Sequence, residues 1–166
     1  MIYLIMFLVC LGLIGVDQIT KFLTISNIPL HEQIEVLPGL FNLTYAQNTG
    51  AAFSMMEGQK WFFLAIVILL CLGIIWEFRT KFFPFTTFER WCIVFVAAGG
   101  LSNNVIDRLC LGYVVDMIQL DFINFPIFNL ADCFVVCGCI LLTISLFFFN
   151  KDFWQNKESL SENDDK

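Results

Sequence analysis

Three aspartates and two asparagines lie within the segment VVDMIQLDFINFPIFNLAD, residues 114–132 of an otherwise apolar chain. Two carboxyl groups held close together in a medium of low dielectric cannot both ionise cheaply, so such a pair keeps one proton between them. The ionised member can then take a proton from water while the protonated member polarises a peptide carbonyl. A carboxylate pair in this segment would therefore suit hydrolysis of a peptide bond without a covalent intermediate.

The spacing of the three aspartates distinguishes them. In an extended strand Asp116 and Asp121 would point to opposite faces, so only one of them can face the rest of the protein. Asp116 follows the corner at Gly112 and is better placed to reach the start of the last apolar run. There Asn129 and Asp132 have the spacing of a helix N-cap and a first-turn acid, and capping alone would explain both. We interpret Asp121, which is nearer the middle of the loop, as a solvated residue.

Other kinds of catalytic site have less support in the sequence. Ser54 and Ser102 have no histidine or lysine base near them, and His31 stands alone as an ordinary surface histidine. The seven cysteines are odd in number, lie mostly inside apolar runs and have neither CxxC nor histidine-rich spacing. We therefore expect no metal site, no other cofactor and no disulfide framework, and we interpret the cysteines as small buried hydrophobes.

The elements that must position the acids are membrane helices. Of the 166 residues, 58% are hydrophobic and only 14% are charged, far from the composition of a soluble domain. Four apolar runs are each nearly long enough to span a bilayer. The first lacks the basic start and cleavage site of a signal peptide, so we interpret it as a retained helix. The prediction is an α-helical integral membrane protein, a bundle of four transmembrane helices over residues 1–16, 61–76, 91–106 and 133–149.

The distribution of basic residues predicts how this bundle is oriented. An even number of spans puts both termini on one side, and that side carries the larger share of lysine and arginine, so the termini should be cytoplasmic. The basic residues on the terminal side are Arg79, Lys81, Arg90, Lys151, Lys157 and Lys166, against Lys21, Lys60 and Arg108 on the other. The predicted organisation is one four-span domain (1–153) with outer segments 22–60 and 109–128, a cytoplasmic loop 77–90 and an acidic cytoplasmic tail 154–166.

On this topology the polar residues near the helix ends gather on the outer side, and the cytoplasmic helix ends have no comparable group. Taken singly, each is more simply a structural residue than a catalytic one. Asp107 and Arg108, for example, could form an interfacial charge pair. The outer group consists of Asp17, Gln18 and Lys21 at the end of the first helix, Asn48 before the second, Asn103, Asn104, Asp107 and Arg108 at the end of the third, and Asn129 and Asp132 at the start of the fourth.

The outer segment EQIEVLPGLFNLTYAQ is typical of a small β-hairpin. Apolar residues alternate on both sides of Pro38 and Gly39, which predicts two strands joined by a turn. Such a hairpin could hold an extended peptide or could simply cap the bundle, and the alternation alone favours the cap.

Four motifs, in order along nearly the whole chain, resemble those of bacterial lipoprotein signal peptidase, or signal peptidase II: DQITK, NTGAAFS, GGLSNNVIDRLCLGYVVDM and FNLAD. The resemblance implies an aspartic endopeptidase of the bacterial inner membrane that cuts prolipoproteins just before a diacylglyceryl-modified cysteine. Its partners would be the bilayer and that substrate, without nucleic acid, and we expect a monomer. By motif, Asp116 and Asp132 correspond to the catalytic pair, supported by Asn104, Asp107, Arg108 and Asn129, with Asp17, Lys21 and Asn48 on the remaining motif positions.

The chain departs from the family pattern at two positions. Asn103 stands where the family usually has glycine before the second asparagine, which could alter helix packing or add a hydrogen bond near the site. Met117 replaces the usual phenylalanine after Asp116 and keeps an apolar side chain of similar bulk. Neither change removes a carboxylate.

Two other classes of function fit the composition less well. A small proton-coupled transporter would place its acids near the membrane midplane, often in two related halves. Here the acids lie at one interface and no internal repeat is visible. A membrane scaffold without activity would leave the outer polar group with no purpose beyond capping.

Overall fold

The structure is a computed structural model that describes residues 1–50 and 59–154. Ser54, most of the NTGAAFS motif and the predicted acidic tail beyond Trp154 lie outside the described residues. The elements in chain order are helix α1 (Ile2–Asn27), strands β1 (Gln33–Leu37) and β2 (Phe41–Asn48), helices α2 (Lys60–Thr80) and α3 (Thr87–Gly100), a π-helical segment (Leu101–Asp107), helix α4 (Arg108–Cys110), strand β3 (Val114–Leu120), helix α5 (Leu130–Ile144) and a second π-helical segment (Ser145–Phe149).

Within the described ranges, three helices are long and apolar enough to cross a membrane: Ile2–Asn27, Trp61–Thr80 and Leu130–Phe149. At most 17% of the residues in each of these spans are buried inside the protein, as expected where apolar side chains face lipid. The predicted fourth span, 91–106, is not among the three. There the α-helix ends at Gly100, and the chain continues in π-helical geometry through polar residues.

Helix α1 is longer than the sequence pattern suggested. Asp17 and Lys21 were expected to end it, but α1 continues to Asn27, so both residues lie inside the helix and both are buried. Their i, i+4 spacing puts them on one face. The outer segment, predicted from residue 22, accordingly begins only after Asn27.

Helices α3 and α5 touch through two glycines. A Cβ added at Gly99 would overlap the carbonyl oxygen of Ala131 and lie 2.7 Å from Val135 Cγ2. One added at Gly138 would lie 2.8 Å from the carbonyl oxygen of Cys92. The first contact holds the start of α5 against the end of α3, and so fixes the distance between the residues that follow on both helices.

Gly99→Ala is therefore expected to lower the free energy of unfolding by about 1–3 kcal/mol, since overpacking a close helix contact forces the backbones apart. Thermal unfolding of the purified protein measures this. Gly12→Ala is the matched control, because nothing lies within 4 Å of a Cβ at that position and alanine favours the helix. Equal unfolding temperatures for Gly99→Ala and wild type would contradict the close contact.

The predicted hairpin is confirmed and is part of a larger sheet. Strands β1 and β2 pair antiparallel around Gly39, whose φ of +72° is a left-handed conformation that glycine adopts readily. Strand β3 adds antiparallel to β2, so the sheet order is β1-β2-β3. An apolar cluster under the sheet joins Ile28, Tyr45, Val115 and Met117. The sheet therefore covers the end of α1, consistent with a cap.

The opposite end of the bundle also carries a buried polar cluster, contrary to the expectation from sequence. Glu89 is fully buried in the first turn of α3 and forms a capping box with Thr86. Its carboxylate also accepts hydrogen bonds from Ser145 Oγ at 2.9 Å and Asn150 Nδ2 at 2.7 Å. Each of these groups has a partner, so the cluster ties the start of α3 to the second π-helical segment and the residue that follows it.

Candidate active site

Asp116 and Asp132 line the same cavity, although one comes from the sheet and the other from a membrane helix. The cavity measures about 210 Å³. Both carboxylates are largely enclosed by protein, so each oxygen depends on hydrogen bonds from neighbouring groups. The other lining residues are Asn48, Gly50, Phe63, Asn103, Asn104, Arg108 and Val114.

Asp132 is held by the start of helix α5. Asn129 is the N-cap, and its Oδ1 accepts from the Asp132 backbone N–H at 3.0 Å. Asp132 Oδ2 in return accepts from the Asn129 backbone N–H at 3.1 Å, which completes a capping box. The other oxygen, Oδ1, accepts from Asn103 Nδ2 at 2.8 Å. The predicted cap is confirmed, and its acid points into the cavity.

Asp116 is held by two amides. Asn129 Nδ2 donates to Asp116 Oδ1 at 2.6 Å, and Asn48 Nδ2 donates to Asp116 Oδ2 at 2.9 Å. Asn129 therefore contacts both carboxylates, one through its side-chain nitrogen and the other through its backbone. Burial raises the pKa of Asp116 to about 7, and the nearby charge of Asp132 acts in the same direction against the two amide hydrogen bonds.

Asp121 lies away from this cavity. It is exposed just beyond the end of β3, and its Oδ1 accepts from Asn42 Nδ2 at 2.6 Å. It lines neither this cavity nor the neighbouring apolar one described below. This placement agrees with the prediction that Asp121 is a solvated loop residue. Because Asp121 lies outside both cavities, its substitution can serve as a control.

Behind the cavity, Lys21 forms two buried ion pairs. Its Nζ lies 2.7 Å from Asp17 Oδ2 and 2.8 Å from Asp107 Oδ2, and the three side chains are at most 2% exposed. Asp107 is next to Arg108 in the sequence, but its buried ion-pair partner is Lys21. Two carboxylates around one ammonium leave this cluster with a net charge of −1.

The carboxylates of this cluster connect four elements. Asp17 Oδ1 accepts from the Ala131 backbone N–H at 2.9 Å, so α1 caps the start of α5. Asp107 Oδ2 accepts from the Val115 backbone N–H at 3.2 Å, so the π-helical segment holds the start of β3. Asp17 and Asp107 thus fix the backbone immediately before each of the two cavity acids.

The π-helical geometry explains how Ser102 and Asp107 come to share a partner. A π-helix bonds i to i+5, which brings residues five apart onto one side. Gln18 Nε2 contacts both, at 2.9 Å from Ser102 Oγ and 2.6 Å from Asp107 Oδ1. Gln18, Ser102 and Asn103 were not predicted to be site residues. The available signal was a polar run, Ser102 to Asn104, inside an apolar helix.

Arg108 supports the other wall of the cavity. Its guanidinium donates to the backbone carbonyls of Thr49, at 3.3 Å, and Gly50, and lies 4.7 Å from the centre of the Phe63 ring. Its Nε donates to Asn104 Oδ1 at 3.1 Å. Arg108 thereby fixes the chain directly after Asn48, whose amide holds Asp116.

An apolar cavity of about 400 Å³ adjoins the polar one, and both acids also line it. The rest of its wall comes from the end of β2, the loop before α5 and one face of α5. The two cavities together present a pair of carboxylates with amide donors on one side and an apolar surface on the other. The other residues of this wall are Asn48, Phe125, Pro126, Ile127, Phe128, Cys133, Val136 and Cys137.

Comparison with known proteins agrees with this architecture. The chain is 43% identical over 136 residues to the lipoprotein signal peptidase of Streptococcus thermophilus, covering 82% of this chain and 88% of that protein. It is 45% identical over 140 residues to the lipoprotein signal peptidase of Enterococcus faecalis, covering 84% and 86%. A solved bacterial membrane enzyme superposes with a TM-score of 0.81 at 31% identity, covering 89% and 90%.

The sequence model of signal peptidase (SPase) II matches residues 9–148, which includes every residue of the two cavities. A peptidase family, rather than a transporter or a scaffold, accounts for these matches. The chain belongs to the signal peptidase II family of bacterial membrane peptidases.

Proposed function

We propose that the chain is an aspartic endopeptidase that removes signal peptides from diacylglyceryl-modified prolipoproteins. The observation that carries the proposal is the meeting of Asp116 and Asp132 in one cavity, with Asn129 bonded to both. Among the described residues that line the cavity there is no serine or cysteine with a histidine base, and we assign the acid–base roles to the two carboxylates.

The two acids have different environments, which supports different roles. Asp132 is in the first turn of α5, where the helix dipole and the Asn129 backbone N–H stabilise its carboxylate against the effect of burial. Asp116 has a pKa of about 7 through burial and holds the shared proton near neutral pH. Asp132 takes a proton from water as the resulting hydroxide attacks the scissile carbonyl, while Asp116 donates its proton to the carbonyl oxygen. When the C–N bond breaks, the proton held by Asp132 passes to the leaving amine, and Asp116 recovers its proton as the carbonyl re-forms.

The apolar cavity beside the acids is the proposed site of the lipidated end of the substrate. Its open wall of phenylalanine, valine and cysteine side chains offers acyl chains an apolar surface next to the scissile bond. Drawing a lipid anchor into water instead would cost about 0.8 kcal/mol for each CH₂ group. A site that meets the peptide at the membrane interface avoids that cost.

The proposed setting is the bacterial inner membrane, with cytoplasmic termini and the sheet and cavity at the outer face. In this arrangement the helical stretch 87–110, which includes the π-helical segment Leu101–Asp107, is the fourth span. In this mechanism a monomer suffices, because a single copy supplies both carboxylates. A tag at either terminus should be reached by protease only after the inner face of membrane vesicles is opened.

Cleavage of a defined precursor tests the function. The purified protein in mild detergent is incubated with a prolipoprotein carrying diacylglyceryl-cysteine, and mass spectrometry of the products locates the cut. We expect cleavage at the bond before the modified cysteine and little cleavage of the same precursor without the lipid. Equal cleavage of both substrates, or cleavage elsewhere, would contradict the proposed specificity.

Activity should fall as pH rises above about 7. The mechanism needs the proton on Asp116, whose pKa is about 7 in the folded protein, so kcat should decline about tenfold per pH unit on the alkaline side. The unfolded aspartate titrates near ~4, so the folded state binds this proton more tightly and the fold loses stability as pH rises from ~4 to ~7. Initial rates and unfolding temperatures across pH 4–9 measure the two effects. A rate that stays constant to pH 9 would contradict the assignment of the proton.

A further inference from the structure

Asn103 lies between the buried ion-pair cluster and the cavity. Its side chain is buried, and its Oδ1 accepts from Lys21 Nζ at 2.5 Å. On the other side, its Nδ2 donates to Asp132 Oδ1 at 2.8 Å and to Asn129 Oδ1 at 3.3 Å. Asn103 thus bridges the ammonium of Lys21 and the carboxylate of Asp132.

The contacts of Asn103 define which way its amide points. An ammonium group only donates hydrogen bonds, so the atom facing Lys21 must be the amide oxygen. The amide nitrogen then faces Asp132, where an ionised carboxylate only accepts. A reversed amide would set donor against donor and acceptor against acceptor in a buried site, so this orientation is the one that both partners allow.

The amide dipole of Asn103 therefore points along the line from a positive group to a negative one. Lys21 makes its own ion pairs with Asp17 and Asp107 and reaches Asp132 through Asn103. A cation that donates a hydrogen bond to the oxygen of an amide polarises that amide. The hydrogen bond that the amide nitrogen donates on the other side becomes stronger. We propose that Asn103 is a positioning residue, one that uses Lys21 to hold Asp132 ionised and in the orientation required of the general base.

This inference rests on the proposed function and extends it to a residue outside the acid pair. Glycine at this position would offer Asp132 Oδ1 no side-chain donor, and Lys21 no amide oxygen. Since Asn103 acts on the base and not on substrate affinity, its removal should change kcat while KM stays nearly constant.

Two substitutions test the role. Asn103→Leu keeps the branching at Cγ and has no hydrogen-bonding group, while Asn103→Asp keeps the shape and can accept from Lys21 but, ionised, cannot donate to Asp132. For both we expect kcat about ten- to a hundredfold lower, which is the range for a hydrogen bond to a charged group, with KM within about twofold. The acidic limb of the kcat–pH profile, where protonation of Asp132 stops the reaction, should move to higher pH in both variants. It should move further in Asn103→Asp, because that substitution adds a second negative charge beside Asp132.

Ser145→Ala is the matched control, because it removes a buried hydrogen bond, to Glu89, at the opposite end of the bundle. It should lower the unfolding temperature and leave the acidic limb unmoved. Two results would overturn the inference. The first is an Asn103→Asp protein with normal kcat and an unchanged acidic limb. The second is that the Asn103 variants lose stability, as Ser145→Ala does, while the acidic limb stays in place. If Asn103→Leu fails to fold, Asn103→Asp alone decides. Wild-type protein that fails to cleave the lipidated precursor would instead refute the proposed function.

Discussion

Replacing either cavity acid by asparagine should reduce cleavage of the lipidated precursor by about a thousandfold or more. Asp116→Asn removes the proton donor and Asp132→Asn removes the base, and a positioned acid or base contributes about 10²- to 10⁴-fold to such a step. The two losses should not add, because each variant already disables the pair that acts as a unit. The asparagine side chains keep the size of the acids, so the fold should survive.

Single-turnover cleavage measures this effect, with unfolding temperatures showing that each variant is folded. Asp121→Asn is the matched control, because it changes an exposed aspartate of the same segment that lines neither cavity, and its rate should be within about twofold of wild type. Retention of more than about a tenth of the activity by either cavity variant would refute the two-acid mechanism. A large loss of cleavage rate in Asp121→Asn would show that substitutions anywhere in this segment reduce activity, whether or not they remove a cavity acid.

Lys21→Met should lower the free energy of unfolding by about 3–5 kcal/mol, the range found when one partner of a buried ion pair is removed. Lys21 is 2% exposed and compensates both Asp17 and Asp107. Without the ammonium the buried cluster carries a charge of −2 in place of −1. Since Asp17 also caps α5 and Asp107 also holds β3, the loss should extend to both cavity acids and abolish activity.

Chemical unfolding in detergent micelles, followed by tryptophan fluorescence, measures the loss. The control is the double variant Lys21→Met with Asp17→Asn, in which the cluster carries −1 again. It should recover a substantial part of the lost stability without recovering activity. A double variant less stable than Lys21→Met would show that packing or hydrogen bonding, and not the uncompensated charge, explains the effect.

Local patterns predicted the parts of the fold that depend on local interactions. The hairpin follows from alternation around a glycine turn, and the cap at Asn129 follows from helix-start chemistry. The separation of Asp116 from Asp121 follows from the period of a strand, and the structure places the two apart. Each inference needed only a few neighbouring residues.

Local sequence patterns could not predict the contacts between segments that are distant along the chain. The length of α1 was underestimated because Asp17 and Lys21 look like interfacial residues until their partners on the π-helical segment are known. The buried Glu89 cluster was missed for the same reason, since its partners Ser145 and Asn150 lie more than 50 residues away along the chain. The sequence indicated that Asn103 could add a hydrogen bond near the site, but it could not identify the partners, because these lie on two other helices.

The capping box at the start of α5 has a further consequence, for the dependence of activity on temperature. Helix ends usually fray on a faster timescale and at lower temperature than the whole protein unfolds. Here the bonds that close the first turn of α5 are the same bonds that aim Asp132, and Asn129 extends the arrangement to Asp116. Opening of that one turn would disperse both acids while leaving the bundle intact. Activity should therefore be lost on heating at a lower temperature than the one at which the whole protein unfolds. Hydrogen exchange at the amides of Asn129 and Asp132 should become faster at the temperature where activity is lost, and not only at the unfolding temperature.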